Sequence, residues 1–375
     1  MIAFIVSFLC TIIAMPFLLD YCKKNHYYDS PNSHRKLHKG NIPRLGGVLF
    51  FPAAAMGLLA ALVFIPEAWM DEEMMKIYRS SGNLLNERLP LHLSTLLLIP
   101  GAFVIYLVGI IDDFLDVSAK HKFIIQIIVA LAMPFSNLYI NNFGGLFGLN
   151  EIPLYIAYPI TVLGILLIVN AINLIDGIDG LASGLSIISL IGFAYIFNQR
   201  NLPIFANLSY ALIGTVFAFF LFNYFGTEQR GTKIFMGDGG SLFLGYCLAY
   251  FALKEAMNNP VVAVYDENAL MYSLILLFLP IADLTRVACE RKLNHKPMFK
   301  ADKTHLHHRL MDTGLSMHGA LGVILLLQIV ICALGWICLN VLHFGATITL
   351  IFIIVVFILF NICVYSLRKK EEEQG

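Results

Sequence analysis

Charge is scarce in this sequence. Asp, Glu, Lys and Arg make up 13% of its 375 residues, against roughly 25% in soluble domains. Hydrophobic residues reach 58%, above the usual range of about 45–50%. A globular, water-soluble chain is thereby excluded. No Cys-x-x-C pair occurs, and the seven cysteines lie mostly within apolar runs. They read as small hydrophobes or free thiols, not as a zinc or disulfide framework. Polar stretches reach only about 25–35 residues, so no water-soluble domain is expected. There is no internal repeat and no low-complexity linker. The zero net charge carries no partner signal, and no nucleic-acid partner is expected.

What the chain has instead is apolar runs near the ~20 residues that cross a bilayer. Eleven are expected, at about 1–19, 45–65, 91–111, 123–140, 153–172, 181–198, 205–225, 239–257, 269–283, 319–340 and 346–367. The first has neither a basic leader nor a small-residue cleavage site, so it reads as a retained helix. Twenty Lys and Arg residues fall on one side of the resulting topology and five on the other. The positive-inside rule then puts the N-terminus outside and the C-terminus in the cytoplasm. The expectation is an all-α polytopic membrane protein, one domain over 1–375, with cytoplasmic loops at about 20–44, 112–122, 173–180, 226–238 and 284–318.

Polar chemistry gathers on that side. In "GIIDDFLDVSAKHKF", Asp112 and Asp113 appear as an apolar helix reaches the interface. If the helix continues, Asp116 is a same-face neighbour of both. Such carboxylates need water, a metal or a basic group, and Lys120, His121 and Lys122 are near. A solvated boundary loop is the plainer reading of this segment alone. "NAINLIDGIDGLASG" sets Asn170, Asn173, Asp176 and Asp179 at every third position. Intramembrane polar groups are costly and mark function. Gly177 and Gly180 point to a helix that stops and lets backbone approach a ligand, although a helix cap and turn would use the same residues.

"IFMGDGGSLFLGY" repeats the design, with Asp238 framed by glycines at a helix entry. Exposed amides there suit phosphate, and Asp238 suits Mg²⁺ or Mn²⁺. Phe235 is placed to stack on a base or to face lipid or core. In "HLHH", His305 and His308 would be the close pair on a helix, with His307 aimed elsewhere. Zinc or an anion cradle with Lys303 and Arg309 both fit, as does an ordinary basic loop. Acidic groups for a cation and Gly-framed or basic groups for phosphate, on one membrane face, are the toolkit of phosphoryl transfer. One substrate should be a soluble phosphorylated molecule and the other a lipid. A proton- or cation-coupled transporter is the rival of another class. It would favour midplane acids on broken helices and an internal repeat.

With "DSPNSHRKLHKGNIPRLGG" (29–47) added, these motifs span residues 29 to 308. In this order the chain resembles the polyprenyl-phosphate N-acetylhexosamine-1-phosphate transferase family. Within it, the spaced "HLHH" is similar to the bacterial undecaprenyl-phosphate N-acetylglucosamine-1-phosphate transferases (the WecA/TagO type). The phospho-MurNAc-pentapeptide branch carries a contiguous histidine triplet instead. The resemblance implies transfer of GlcNAc 1-phosphate from UDP-GlcNAc to undecaprenyl phosphate with Mg²⁺ (or Mn²⁺). The product would be the lipid-diphosphate sugar that initiates a cell-surface polysaccharide, released with UMP. It implies Asp238 as metal ligand with Asn173, uracil at Phe235 and Asp179, phosphates near Lys122, and diphosphate at His305, His307 and His308. Asp112 and Asp113 would lie beside the lipid phosphate, with Asp176 a further acidic group. Another UDP-N-acetylhexosamine (GalNAc, a deoxy sugar or MurNAc-pentapeptide) remains an alternative donor. Direct attack and a covalent aspartyl intermediate both remain open. The implied location is the bacterial inner membrane, with the active site on the cytoplasmic face and a bare core suited to a homodimer.

Overall fold

Apolar residues on all sides of a helix require a lipid or protein environment on all sides, and the chain meets this with layered long helices. A computed structural model describes residues 1–28, 42–64, 93–258, 266–295 and 304–374. In order the helices are α1 (Ile2–Lys24), α2 (Phe50–Phe64, entered by the 3₁₀ turn Gly46–Leu49), α3 (Leu93–Leu115), α4 (Ala119–Phe135), α5 (Leu154–Ile175), α6 (Leu181–Gln199) and α7 (Pro203–Phe225). Then come α8 (Gly237–Ala256), α9 (Ala269–Leu276), α10 (Phe278–Leu293), α11 (Leu306–Met311), α12 (Met317–Asn340) and α13 (Ala346–Gln374).

A helix stands at each of the eleven expected stretches. Among the described residues, eight are long and apolar enough to cross a membrane, and α9 with α10, bent by 71°, raises this to nine. α4 is short at 17 residues, and α8 carries Asp238, Lys254 and Glu255. The chain is an α-helical, multi-pass membrane protein.

α8 is the axis of the assembly. Every residue from Gly239 to Ala256 is buried, enclosed by α3, α5, α6, α9 and the 3₁₀ turn. This explains how a helix with polar groups at both ends is tolerated: protein surrounds it, not lipid. α13 is the opposite case, with Ile348, Ile351, Leu359 and Ile362 all exposed.

One feature departs from all-helical expectation. "NNFGGLFGLNE" folds as a two-stranded antiparallel hairpin, β1 (Asn142–Leu146) with β2 (Leu149–Glu151). Its glycines Gly144, Gly145 and Gly148 take positive φ, which suits a turn and disfavours helix. Phe147 N donates to Thr347 Oγ1 at 2.6 Å, docking the hairpin on α13.

Candidate active site

The helix ends at one side of the bundle bring together segments far apart in sequence. α3 ends at Leu115 and Asp116 turns back at φ +47. Asp116 therefore does not continue the helical face expected of it. Its exposed carboxylate pairs with Arg44 at 3.0 Å. α5 ends at Ile175, and Asp176 caps it in a non-helical conformation. After Gly180 (φ +79), α6 begins at Leu181. The glycine-marked stop is thus present between α5 and α6.

At the centre lies Lys122, from the first turn of α4. Its Nζ donates to Asp112 Oδ2 at 2.9 Å and to Asp238 Oδ2 at 2.7 Å. Of the three basic neighbours expected to neutralise the acids, Lys122 does so; His121 instead pairs with Ser118 Oγ at 2.6 Å. Asn173 Nδ2 donates to the other oxygen of Asp238 at 3.2 Å and to Ser241 Oγ at 2.9 Å. Asn170 leaves the series: its amide meets Gln126 Oε1 at 2.8 Å and Leu166 O at 2.7 Å. α5 ends before Asp176 and Asp179, so helical spacing relates only Asn170 and Asn173, and the roughly 60° between them turns Asn170 toward Gln126 of α4.

Asp113 has a different task from its neighbour. Its Oδ1 accepts from Asp238 N at 2.8 Å and its Oδ2 from Gly239 N at 3.0 Å. The first amides of α8, expected to await a phosphate, are satisfied from within the protein. A carboxylate there suits both the orphan donors and the helix dipole. Gly237 makes this approach possible. Its φ is +74, and a Cβ would lie 2.6 Å from Asp113 Oδ2. Arg44 fastens the other side, donating to Asp113 O at 2.9 Å.

Asp179 is buried, with one partner on each oxygen. Lys233 Nζ lies 2.5 Å from its Oδ2, and Asn223 Nδ2 lies 3.4 Å from Oδ1. Asn223 also accepts from Gly180 N at 2.6 Å and donates to Ile234 O at 2.8 Å. Phe235 follows directly, half-buried, its N–H donating to Pro43 O at 2.8 Å. Gly46 and Gly47 donate to Phe235 O and Met236 O at 2.9 and 2.8 Å, so segment 42–47 backs the loop entering α8. Residues 29–41 of the first basic motif, and Lys303, lie outside the described residues.

Asp176 sits between these groups. Desolvation by the surrounding protein, then the charges of Asp238, Asp179 and Asp113, push its carboxyl above the usual carboxylate range. The residue itself is exposed to solvent, which holds that rise down. The histidines form a column instead of a helical pair. His305 precedes α11 and its Nδ1 meets Asp283 Oδ2 at 2.8 Å. His307 stacks on His305, with ring centroids 5.9 Å apart, and lies 4.2 Å from His308. A Cβ at Gly177 would collide with the His307 ring, so the column leans on the Asp176–Asp179 turn. Both His307 nitrogens are buried without a partner. Burial, then the neighbouring His308, pulls its pKa down to about 3, leaving it neutral.

Arg44, Asn223, Lys233, Ser241 and Asp283 were not singled out from sequence. Asn223, an amide at the end of the apolar run "FFLFNYF", carried the same intramembrane-polar signal as Asn173. The others look like ordinary interfacial polar residues until folding gives them partners. Among the described residues, no three His, Cys, Asp or Glu side chains are gathered as a ready metal site.

An array of acids bridged by a lysine at the helix ends, beside a helix entry and a histidine column, has the charged groups that phosphoryl transfer uses. Residues 95–256 match the family model described as Glycosyl transferase family 4. The chain is 34% identical over 357 residues to a Bacillus subtilis (strain 168) protein described as a probable undecaprenyl-phosphate N-acetylglucosaminyl 1-phosphate transferase. That alignment covers 95% of this chain and 89% of the relative. Proteins described as undecaprenyl-phosphate alpha-N-acetylglucosaminyl 1-phosphate transferases from Yersinia pestis and Escherichia coli (strain K12) are each 27% identical. They cover 90% and 88% of this chain, and 83% and 81% of their own lengths. The chain belongs to this family of membrane glycosyl-1-phosphate transferases, and is a phosphotransferase. Membership decides against the transporter reading.

Proposed function

We propose that the protein transfers N-acetylglucosamine 1-phosphate from UDP-GlcNAc to undecaprenyl phosphate, releasing UMP, at the cytoplasmic face of the bacterial inner membrane. The product is the lipid-linked sugar on which a surface polysaccharide is begun. The observation that carries the reading is the Asp112–Lys122–Asp238 bridge, built at helix ends where a membrane-held phosphate can meet a soluble nucleotide. The relatives' described activity supports it.

The acids fit a hard divalent cation. Two carboxylates already flank one cation, the Lys122 ammonium, and Asn173 supplies an amide beside them. Mg²⁺ needs only one or two protein carboxylates, with water and phosphate completing its shell. Asp238 and Asn173 would hold it, with Asp112 and Asp176 adjacent. Bound there, it would neutralise the diphosphate and stabilise the leaving nucleotide.

The protein's own residues do the rest. Lys122 orients the donor phosphates while balancing Asp112 and Asp238. Asp179, held by Lys233 and Asn223, accepts the imide N–H of uracil, and Phe235 packs on the ring. His307, neutral and with both nitrogens buried and unpaired, backs the diphosphate side of the site through His308 and the Gly177 turn. A phosphomonoester has a second pKa near ~6, so the acceptor oxygen is largely ionised near neutrality. It attacks the β-phosphorus directly, and Asp112 positions it. Asp113 is spent on capping α8, which favours one step over a phospho-Asp113 intermediate.

UMP release by the purified protein, with undecaprenyl phosphate and Mg²⁺, tests this. UDP-GlcNAc is compared with UDP-GalNAc and UDP-MurNAc-pentapeptide. Lipid-dependent release from UDP-GlcNAc is expected. Release from another donor alone would overturn the sugar assignment, and isotope exchange of UMP into UDP-GlcNAc without lipid would overturn the single step.

A further inference from the structure

Asp283 of α10 stands apart from the acid array and faces the histidines. Its carboxylate is 1% exposed. Oδ1 accepts from Arg286 Nη2 at 2.6 Å and from Leu306 N, the first amide of α11, at 3.1 Å. Oδ2 meets His305 Nδ1 at 2.8 Å. One acid thus holds both the entry of α11 and the ring that precedes it. Arg286 and Arg309 add a second grip, donating to Thr304 O at 2.7 and 3.2 Å, just before His305.

The contact decides which nitrogen of His305 carries the proton. An ionised carboxylate only accepts, so the network assigns Nδ1 as the donor. Charge around the ring is already balanced. Asp283 and Glu290 stand against Arg286 and Arg309, with the rings of His307 and His308 beside them. Nothing there calls for a second ring proton, so Nε2 keeps its lone pair. Both nitrogens of His307 are sealed without a partner. His305 Nε2 also has no hydrogen-bond partner among the described residues, but it is not sealed. Such an acceptor suits a ligand that brings a hydroxyl or an N–H. It does not suit an ionised phosphate oxygen, which has only lone pairs of its own.

We infer that Asp283 is a positioning residue that presents His305 Nε2 to the sugar of the donor, as acceptor for a hydroxyl or the acetamide N–H. A hydrogen-bond partner on one ring nitrogen sets what the other nitrogen offers. The ligand's identity rests on the proposed reaction; the tautomer does not. Ionised undecaprenyl phosphate brings no donor, whereas a UDP-sugar brings donors on its base, ribose and hexose. The base end belongs at Asp179, held by Lys233 and Asn223. The histidines meet the same turn at Gly177, and His305 stands one ring on from His307. The hexose is the part of the donor left for it.

The full chain, in detergent with Mg²⁺ and no lipid acceptor, is titrated calorimetrically with UDP-GlcNAc and with UDP. His305→Asn keeps an N–H for Asp283 in the place of Nδ1 but has nothing in the place of Nε2. It should bind UDP-GlcNAc about tenfold more weakly and UDP as wild type does. In Asp283→Asn the two donors on Oδ1 fix the amide, so its NH₂ faces the ring and the ring proton moves to Nε2. That tautomer should weaken UDP-GlcNAc by about 10–100-fold and spare UDP. Added to His305→Asn, it should cause no further selective loss. A purely structural role would weaken both nucleotides together. Nitrogen NMR of histidine-labelled protein, with His305 assigned by its loss in His305→Asn, should show Nδ1–H in wild type and Nε2–H in Asp283→Asn. Equal losses for UDP and UDP-GlcNAc overturn the sugar contact. Nε2–H in wild type overturns the role of Asp283. If Asp283→Asn misfolds, the wild-type spectrum and His305→Asn still decide. If neither nucleotide binds wild type, the proposed reaction fails and the sugar contact with it, while the spectrum still decides the tautomer.

Discussion

The two ends of α8 both bury charge, and they do so differently. At its start, four buried or half-buried carboxylates (Asp112, Asp113, Asp179 and Asp238) and two at the open edge (Asp116 and Asp176) face three cations (Arg44, Lys122 and Lys233) among the described residues. About 25 Å away along the helix, Lys254 and Glu255 stand with Arg200 and Asp266, two of each sign. There Arg200 Nη2 meets Glu255 Oε1 at 3.0 Å and Asp266 Oδ2 at 3.4 Å, and Lys254 lies over the Phe205 ring at 4.9 Å. Glu255 is completely buried. The balanced end is closed on itself, while the acidic end has a surplus that asks for another cation. Buried charge alone does not mark an active site; unbalanced buried charge beside an opening does.

The largest effect should come from removing the acid at the centre of the surplus. Asp238→Ala is expected to lower UMP release by roughly 10²–10³-fold, the scale of losing a preorganised electrostatic group, with the fold retained by size-exclusion chromatography. If activity survives within a few-fold, the acidic end is as structural as the other. At the balanced end, Arg200→Met should cost about 3 kcal/mol of stability, because it strands Glu255 in the interior. Turnover per folded molecule should hold. Pairing it with Glu255→Met should recover much of the loss in thermal unfolding, and failure of that rescue would break the contrast.

Smaller changes sharpen the division within the site. Asp113→Asn keeps the shape of the α8 cap but loses its charge and turns one of its two acceptors into a donor facing an N–H, so it should cost about 1–3 kcal/mol of stability and leave measurable transfer. Abolished transfer with unchanged stability would make Asp113 a reacting group instead. The smallest effect concerns His307. Its folded pKa of about 3 lies below the ordinary 6.5, so the unfolded chain binds the extra proton first. This residue's contribution is therefore level above pH 6.5 and falls as pH drops below it, by about 1 kcal/mol at one unit lower. His307→Gln should flatten that part of the unfolding profile between neutral pH and mild acid.

Much of this was legible beforehand because it rests on local composition. The eleven helical stretches follow from long apolar runs, and the stop at Gly177 from glycine beside paired acids. Asn173 stands out as a polar group where lipid should forbid it, Asp112 as an acid at the interface, Lys122 as its basic neighbour and Asp238 by its glycine frame, and the four do meet. The failures were also physical. Asp116 was given a helical face, but the chain reverses there at φ +47. The amides opening α8 were reserved for phosphate; nothing local showed that Asp113, 125 residues earlier, reaches them. The histidines were read with helical spacing, but α11 begins only after His305.

By itself, the sequence determined that this chain lives in a membrane, where its helices run and which residues are too polar to be there idly. Those outcomes depend on transfer free energies and on spacing along the chain, which neighbours in sequence settle. Tertiary structure decided the pairings: Lys122 between Asp112 and Asp238, Asp113 on α8, Lys233 on Asp179, Asp283 behind His305. A charge buried away from water must find its counterpart in space, and which one it finds depends on how distant helix ends are packed together.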